Sequence, residues 1–86
     1  MRYSVSPECI SCEVEAGAAI LDLRSNTYFS LNDVGASIWD RMSEPAALED
    51  LVRAVSDEYS VAPEECRDDI AALLDDMLTH GLIQAA

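Results

Sequence analysis

Apolar and polar residues alternate along the first third of the chain, a pattern that predicts β-strands. In residues 10–15, isoleucine, cysteine and valine alternate with serine and glutamate, which predicts a strand with one solvent-facing side. Residues 16–17 supply a turn, and a second strand is predicted for residues 18–23. A third strand, rich in aromatic and branched side chains, is predicted for residues 27–31. Together these segments predict a three-stranded antiparallel meander.

In the rest of the chain, apolar residues recur at three-to-four spacing, which predicts amphipathic helices. The first helix, residues 33–42, follows Asn32, whose side chain suits an N-cap, and lays Trp39 against the sheet. The second helix is predicted for residues 48–59, with apolar residues on one side and charged residues on the other. These helices provide the cover that one face of the sheet needs.

The third helix is the longest and carries clear start and stop signals. Pro63 suits the first helical position, and Gly81 supplies the left-handed cap that ends the helix. Its predicted core-facing stripe consists of Cys66, Ile70, Leu73, Leu74, Met77 and Leu78. At 100° per residue, Asp69 and Asp76 fall along one border of that stripe. One flank of the core-facing surface is therefore strongly negative.

The two ends of the chain are predicted to add to this arrangement. Residues 1–7 form an irregular arm, in which Tyr3 and Val5 add a short edge pairing. Near the other end, residues 82–83 fold back onto the core and complete the small sheet or its underside. With only 86 residues, the chain is predicted to form a single domain whose core spans about residues 9–83.

The charge balance restricts the partners of the chain. Seventeen acidic residues oppose five arginines and no lysine, so the formal net charge is -12. Because phosphate binding needs clustered cations, nucleic acid is not expected as a partner, and a neutral or basic partner is favoured. No apolar run approaches the roughly 20 residues that cross a bilayer. The N-terminus lacks the basic and apolar regions of a secretion signal. We therefore expect a cytoplasmic protein with no membrane partner.

Candidate catalytic and metal-binding residues are few. His80, the single histidine, lies at a predicted helix C-terminus, where a role as a cap is favoured over one as a general base. Cys9 and Cys12 have CxxC spacing, but a second pair of metal ligands is missing, and ordinary packing is favoured for the cysteines. The carboxylate pairs at 68–69 and 75–76 cannot form a compact oxygen cage, because helix neighbours point about 100° apart. We expect no enzyme activity, no metal and no cofactor.

Three groups of residues are similar, in order and spacing, to the PqqD-like family of peptide chaperones, also called RiPP recognition elements. They are Tyr28, Leu31 and Asn32, then Gly35, Ile38 and Trp39, and finally the Gly-Leu-Ile that begins at Gly81. The resemblance spans roughly residues 14–83. It implies an α+β fold of the winged-helix type, with a three-stranded antiparallel sheet followed by three helices.

The resemblance also implies a function. Members of the family recognise the leader segment of a ribosomally synthesised precursor peptide and present its core to modifying enzymes. A free-standing chain with the hairpin LDLRSNTYFSLN is most similar to the leader-binding protein of lasso-peptide pathways. The implied partners are the precursor, a separate leader peptidase and an ATP-dependent macrolactam synthetase, the lasso cyclase. The alternative within the family is the chaperone of the precursor peptide in pyrroloquinoline quinone synthesis, which works beside a radical enzyme.

The binding mode implied by the resemblance is strand addition, in which backbone groups pair and alternate side chains enter apolar pockets. Relatives bind the leader along the third strand of the sheet, in a groove whose other wall is the third helix. The corresponding residues here are Thr27, Tyr28, Phe29, Ser30 and Leu31 on the strand and Asp69, Leu73 and Asp76 on the helix. The sequence leaves open which of Tyr28 and Phe29 faces the ligand.

A winged-helix DNA-binding regulator is the alternative from another class, because the order of strands and helices is compatible with it. A recognition helix should carry arginine, lysine, asparagine or glutamine on its outward face. The third helix instead offers carboxylates at 68–69 and 75–76. This difference favours peptide binding over DNA binding.

Overall fold

A computed structural model describes residues 1–86, which form five strands and three helices. In chain order these are β1 (Tyr3–Val5), β2 (Cys9–Val14), β3 (Gly17–Asp22), β4 (Thr27–Asn32), α1 (Asp33–Arg41), α2 (Leu48–Tyr59), α3 (Pro63–Thr79) and β5 (Ile83–Ala85). The predicted order of three strands followed by three helices is confirmed, and a short strand is added at each end of the chain.

Strands β2, β3 and β4 form a three-stranded antiparallel sheet in that order, which confirms the predicted meander. Ala18, Ile20 and Asp22 of the central strand are buried and alternate with less buried residues. The register places Ile20 between Ser11 of β2 and Phe29 of β4. Because β3 pairs on both sides, β2 and β4 each have one edge without a partner strand.

Glycine is required where the chain enters β3. Gly17 has a φ of +157°, and a Cβ atom at this position would lie 1.8 Å from the carbonyl oxygen of Leu31. A side chain would therefore force β3 and β4 apart. The turn predicted for residues 16–17 lies one residue earlier, since Gly17 already pairs with Val14 and Asn32.

The expectation that one side of β2 is buried was wrong. Five of its six residues are exposed, including Ile10 and Val14, which retain 54% and 51% of their accessible surface. Ile10 and Val14 pair with Leu21 and Gly17 and so point to the face of the sheet opposite Ile20. The physical reason is that α1, the helix that covers the sheet, packs on β3 and β4 rather than on β2.

The helices begin and end close to the predicted residues. The Asn32 side chain caps α1 by accepting a hydrogen bond from the Gly35 N–H at 2.8 Å. Trp39 of α1 is 5% exposed, as expected for a ring laid against the sheet. At the end of α3, Gly81 has a φ of +72°, which is the predicted left-handed conformation. None of the three helices combines the length and the apolar character that a membrane span requires.

The two ends of the chain pair with each other. Strand β1 runs antiparallel to β5, with Tyr3 opposite Ala85 and Val5 opposite Ile83. The predicted return of the C-terminus to the core is confirmed, since Leu82 and Ile83 are both buried. The pairing differs from the expectation, however, because β5 joins the N-terminal arm in a separate two-stranded sheet and does not extend the meander.

Candidate functional site

The backbone hydrogen bonds of β4 can be assigned to its two sides by alternation. Beyond β3, the Leu23 N–H donates to the Glu8 carbonyl at 2.9 Å, so the odd-numbered residues of β3 bond to β2. The even-numbered residues of β3 therefore bond to β4, among them Ile20, which pairs with Phe29. In β4, the N–H and C=O groups of the odd-numbered residues consequently point inward to the sheet.

The open edge of β4 presents the backbone groups of Tyr28 and Ser30. These two residues alternate with the inward-bonding Phe29, so their N–H and C=O groups point away from β3. The backbone hydrogen bonds of the turns, loops and caps do not involve either residue. An incoming extended segment would thus meet two donors and two acceptors along this edge.

The side chains of β4 divide between two faces. Phe29 and Leu31 are half-buried and pack against the core. Thr27, Tyr28 and Ser30 are exposed, and the Tyr28 side chain keeps 70% of its accessible surface. In the fold, Phe29 lies on the side of the helices, and Tyr28 points away from them.

One end of the space between β4 and α3 is closed by two contacts. The rings of Phe29 and His80 meet edge-on with their centroids 5.1 Å apart. At the tip of the hairpin, Arg24 Nη2 donates a hydrogen bond of 2.7 Å to the carbonyl oxygen of Gly81. Both contacts involve the residues that follow α3, so the C-terminal end of the helix lies beside the start of β4.

A cavity of about 560 Å³ opens between α1, α2 and α3, next to the last residue of β4. Asn32 contributes to it from the end of β4, and Asp69, Ile70 and Leu73 contribute from α3. Eight of the eleven residues that line the cavity are apolar. Since His80 lies beside Phe29 and Asp69 lies near Asn32, α3 runs antiparallel to β4 along the groove.

The residues predicted for the site are brought together in part. Asp69 and Leu73 line the cavity, whereas residues 27–31 form the strand beside it. Asp76 is exposed farther along α3, where its carbonyl oxygen accepts a hydrogen bond from the His80 backbone N–H at 3.1 Å. Its position between the cavity and the ring contact places it along the helical wall.

Sequence reasoning missed three apolar residues that shape the cavity. Val34 lies in the first turn of α1, Tyr59 ends α2, and Val61 lies in the loop before α3. Tyr59 falls within the predicted second helix, residues 48–59, but no role in the site was predicted for it. All three side chains are half-buried against the core. No local pattern in the sequence indicates which apolar residues will be half-buried at a cavity.

A buried carboxylate fixes the hairpin tip beside this groove. The Asp22 carboxylate accepts hydrogen bonds from the backbone N–H and the Nε of Arg24, at 3.0 and 3.2 Å. The guanidinium holds the pKa of Asp22 below its usual range, and the carboxylate raises the pKa of Arg24. Burial, reinforced by Asp22, raises the pKa of the nearby Cys9 thiol. The paired arginine is thereby oriented towards Gly81.

Tyr59 lines the cavity and has a pKa that is shifted from its ordinary value. Burial raises its pKa, and the negative charges of Asp33 and Glu58 raise it further. The phenol is already neutral at physiological pH with its ordinary pKa of about 10, and the raised pKa keeps it protonated in more alkaline solution as well. Asp69 supplies negative charge in the same cavity.

The cysteines do not form a common site. Cys9 pairs with Asp22 and Cys12 pairs with Ala19, so the two side chains lie on opposite faces of the sheet. Cys66 is buried in α3. No three histidine, cysteine, aspartate or glutamate side chains are grouped so that they could hold a metal ion.

Comparisons with known proteins agree with this architecture. Residues 17–83 match the family model for Coenzyme PQQ synthesis protein D (PqqD). A solved structure of TbiB1 in complex with the TbiA(beta) leader peptide is similar, with 28% sequence identity, a TM-score of 0.86 and coverage of 96% of both chains. A second, lasso peptide synthetase B1 complexed with the leader peptide, has 28% identity, a TM-score of 0.84 and coverage of 99% of this chain and 100% of that chain. No curated protein matches the chain. The predicted α+β fold of the winged-helix type is confirmed.

Proposed function

This chain belongs to the PqqD family, and we propose that it binds the leader segment of a ribosomally synthesised precursor peptide as a strand added to β4, in the groove against α3. It then delivers the bound precursor to a separate leader peptidase and to the macrolactam synthetase of lasso-peptide maturation. The chain has no turnover of its own. It acts by raising the local concentration of the substrate at the enzymes.

The open edge of β4 beside an apolar cavity is the observation that carries this proposal. Tyr28 and Ser30 offer their backbone donors and acceptors to a peptide of almost any sequence. Alternate side chains of such a strand point to the same face, so those on the side of the helices enter the space lined by Leu73 and Ile70. Asp69 adds a carboxylate that favours a cationic leader residue.

The magnitudes are compatible with reversible recognition. Four strand-pairing hydrogen bonds contribute about 1 kcal/mol net each. Two or three buried apolar anchors contribute about 1.5–3 kcal/mol each. Ordering the leader costs about 2–5 kcal/mol. The favourable contributions minus this ordering cost correspond to leader affinities between weak and submicromolar. Such affinities suit a carrier that must release its cargo.

The similar structures favour lasso-peptide maturation, because both are leader-peptide complexes and one is a lasso peptide synthetase B1. The family model favours the alternative role as a chaperone for the precursor peptide of pyrroloquinoline quinone synthesis. The two proposals share the same groove and differ in the peptide that occupies it. Affinity for the two kinds of leader therefore distinguishes them.

Titration of the chain against fluorescent leader peptides tests the proposal. The leader of a lasso precursor encoded beside the gene should bind saturably at tens of micromolar or below, and a scrambled version of the same composition should not. A precursor peptide of pyrroloquinoline quinone synthesis serves as the competing ligand. Absence of saturable binding for both peptides at tens of micromolar would contradict leader recognition.

A further inference from the structure

The meander has a second open edge, along β2. The even-numbered residues of β2 bond to β3, so the backbone N–H and C=O groups of Ser11 and Glu13 point outward. The backbone hydrogen bonds of the turns, loops and caps do not involve either residue. Natural edge strands are commonly protected by proline, lysine or a bulge. Strand β2 contains neither residue type and pairs with β3 in unbroken register over six residues. The edge can therefore accept another extended segment.

A cleft accompanies this edge on the side of the sheet that faces the helices. It has a volume of about 390 Å³ and lies between β2 and α1. The strand contributes Ser11 and Glu13, and α1 contributes a stripe that contains Asp33, Ser37 and Asp40. The cleft is open because α1 packs on β3 and β4 and leaves this side of β2 uncovered. A strand added to β2 would direct alternate side chains into the cleft.

The cleft between β2 and α1 is acidic. Four carboxylates line it, from Glu13, Asp33, Asp40 and Glu58, and no lysine or arginine does. Glu58 lies 3.9 Å from Arg41, and the other three carboxylates take part in no salt bridge. Asp33 and Asp40 are two turns apart on α1, about 10 Å along its axis. No three of the carboxylates are grouped so that they could hold a metal ion. Charges spread in this way suit a row of cationic side chains.

We propose that β2 is a second strand-addition edge, and that it binds an extended segment of a partner protein with lysine or arginine at alternate positions. The cationic side chains would enter the acidic cleft. The intervening side chains would lie beside Ile10 and Val14, which are 54% and 51% exposed on the other face of the sheet, so apolar residues fit there. A second copy of the chain does not fit, because its β2 would bring Glu13 to the cleft and its net charge is -12.

The location of β2 makes this site independent of leader binding. Strands β2 and β4 are the opposite edges of the meander, with β3 between them. Strands added to both edges would be separated by four strand spacings, or about 19 Å. Both edges can therefore be occupied at the same time. The inference goes beyond the proposed function, because the acidic cleft would join a further protein to a chain that already holds a leader.

A synthetic peptide in which lysine alternates with valine is the probe for this edge. In an NMR titration of the full chain, the peptide should shift the amide signals of β2 and of the α1 stripe that lines the cleft. We expect saturation at about 1 mM or below at low salt, and weaker binding as the salt concentration rises. The same peptide with glutamate in place of lysine should not bind. The lysine peptide should also lose binding when alternate backbone nitrogens are methylated, since strand pairing needs their N–H groups.

Two substitutions with matched controls locate the site. Ser11→Pro removes an outward N–H of β2 and should weaken binding of the lysine peptide about fivefold or more. Ser30→Pro makes the same change on β4 and should leave it unaltered. Asp40→Lys, in the cleft, should weaken binding several-fold. Asp75→Lys changes the net charge equally at an exposed position of α3 and should have a much smaller effect.

The outcomes separate this inference from the proposed function. If the signals that shift belong to β4, or if Ser11→Pro and Asp40→Lys bind the lysine peptide like the unmodified chain, the second edge is wrong and leader binding stands. A dimer that forms in solution and dissociates on Ser11→Pro would also overturn it, because a second copy would then occupy β2. Binding of the lysine peptide at β2 by a chain that binds no leader would support the second edge and contradict the proposed function alone.

Discussion

The ring of Phe29 in β4 meets the ring of His80 after α3 edge-on, with the centroids 5.1 Å apart. The imidazole is itself held, because its Nδ1 lies 2.8 Å from the carbonyl oxygen of Asp76 and donates a hydrogen bond to it. The strand that offers an open edge is thus joined to the helix that forms the opposite wall. This contact limits how far the two walls of the groove can separate at the hairpin end.

Removing the imidazole should loosen this end of the groove. We expect His80→Ala to lower the free energy of unfolding by about 0.5–1.5 kcal/mol through loss of the ring contact and to weaken leader binding several-fold. His80→Phe keeps an aromatic ring beside Phe29 and should restore most of both quantities. Urea unfolding and leader titration measure the two effects. If His80→Ala bound the leader like the unmodified chain, the ring contact would not determine the width of the groove for leader binding.

The acidic wall is tested by a matched pair of charge reversals on α3. Asp69 lines the cavity, whereas its neighbour Asp68 is exposed outside it. Asp69→Arg should slow association of a cationic leader several-fold, and Asp68→Arg should change it much less, although both alter the net charge equally. Stopped-flow association rates at low and physiological salt provide the measurement. If the two substitutions slowed association equally, the Asp69 carboxylate would have no specific role in the groove, and the acidic residues of α3 would serve solubility alone.

The open edge of β4 is tested by proline, which removes one backbone donor. The Ser30 N–H points away from β3, so Ser30→Pro removes a donor to the leader without removing a bond of the meander. We expect the leader affinity to fall about fivefold or more, from loss of a hydrogen bond of about 1 kcal/mol. Ser11→Pro removes the equivalent outward N–H from β2 and is the matched control. Leader titration should show a loss for Ser30→Pro alone.

The Asp22–Arg24 pair should make stability depend on pH in the acid range. Hydrogen bonding from Arg24 lowers the pKa of Asp22 in the folded chain. The pair therefore contributes stability above the unfolded pKa of about 3.9, and this contribution is lost as the pH falls through the folded pKa. Asp22→Asn should be less stable than the unmodified chain at pH 7, and the difference should shrink below about pH 4.

Urea midpoints between pH 2.5 and 7 measure this difference. Asp75→Asn, at an exposed position on α3 away from Arg24, is the control with the same change in charge. A constant difference between Asp22→Asn and the unmodified chain across the pH range would show that the ion pair does not contribute through its charge.

The start of α1 depends on the Asn32 cap. Its Oδ1 accepts the Gly35 N–H at 2.8 Å, one of the donors that a helix N-terminus leaves unsatisfied. Asn32→Ala should lower the free energy of unfolding by about 1 kcal/mol, and Asn32→Ser should recover most of it. Thermal or urea unfolding gives the values. Equal stability of the Ala and Ser variants would mean that water satisfies the N–H instead.

Elements with strong local signals could be predicted from the sequence. The second helix, residues 48–59, was predicted with the observed bounds, because its apolar stripe and its flanking residues act within a few turns. The cap at Asn32 and the left-handed Gly81 were predicted for the same reason. These features depend on neighbours in the sequence, so no knowledge of the packing was needed.

The orientation of β2 could not be predicted in this way. Alternation correctly separates Ile10 and Val14 from Glu13 of the same strand. Which of the two sides is covered depends on where α1 lies across the sheet, and α1 packs on β3 and β4. The pairing of β1 with β5 likewise joins residues from opposite ends of the chain. Long-range contacts of this kind leave no local pattern.

The sequence by itself determined the order of the elements, their caps and the acidic border of α3, because each follows from periodicity or from residues a few positions apart. Only the tertiary structure decided that Phe29 turns towards α3 while Tyr28 turns away, and that Val34, Tyr59 and Val61 complete the cavity. The physical reason is that a groove is a space between elements, and the distance between two elements is set by their packing against a shared core.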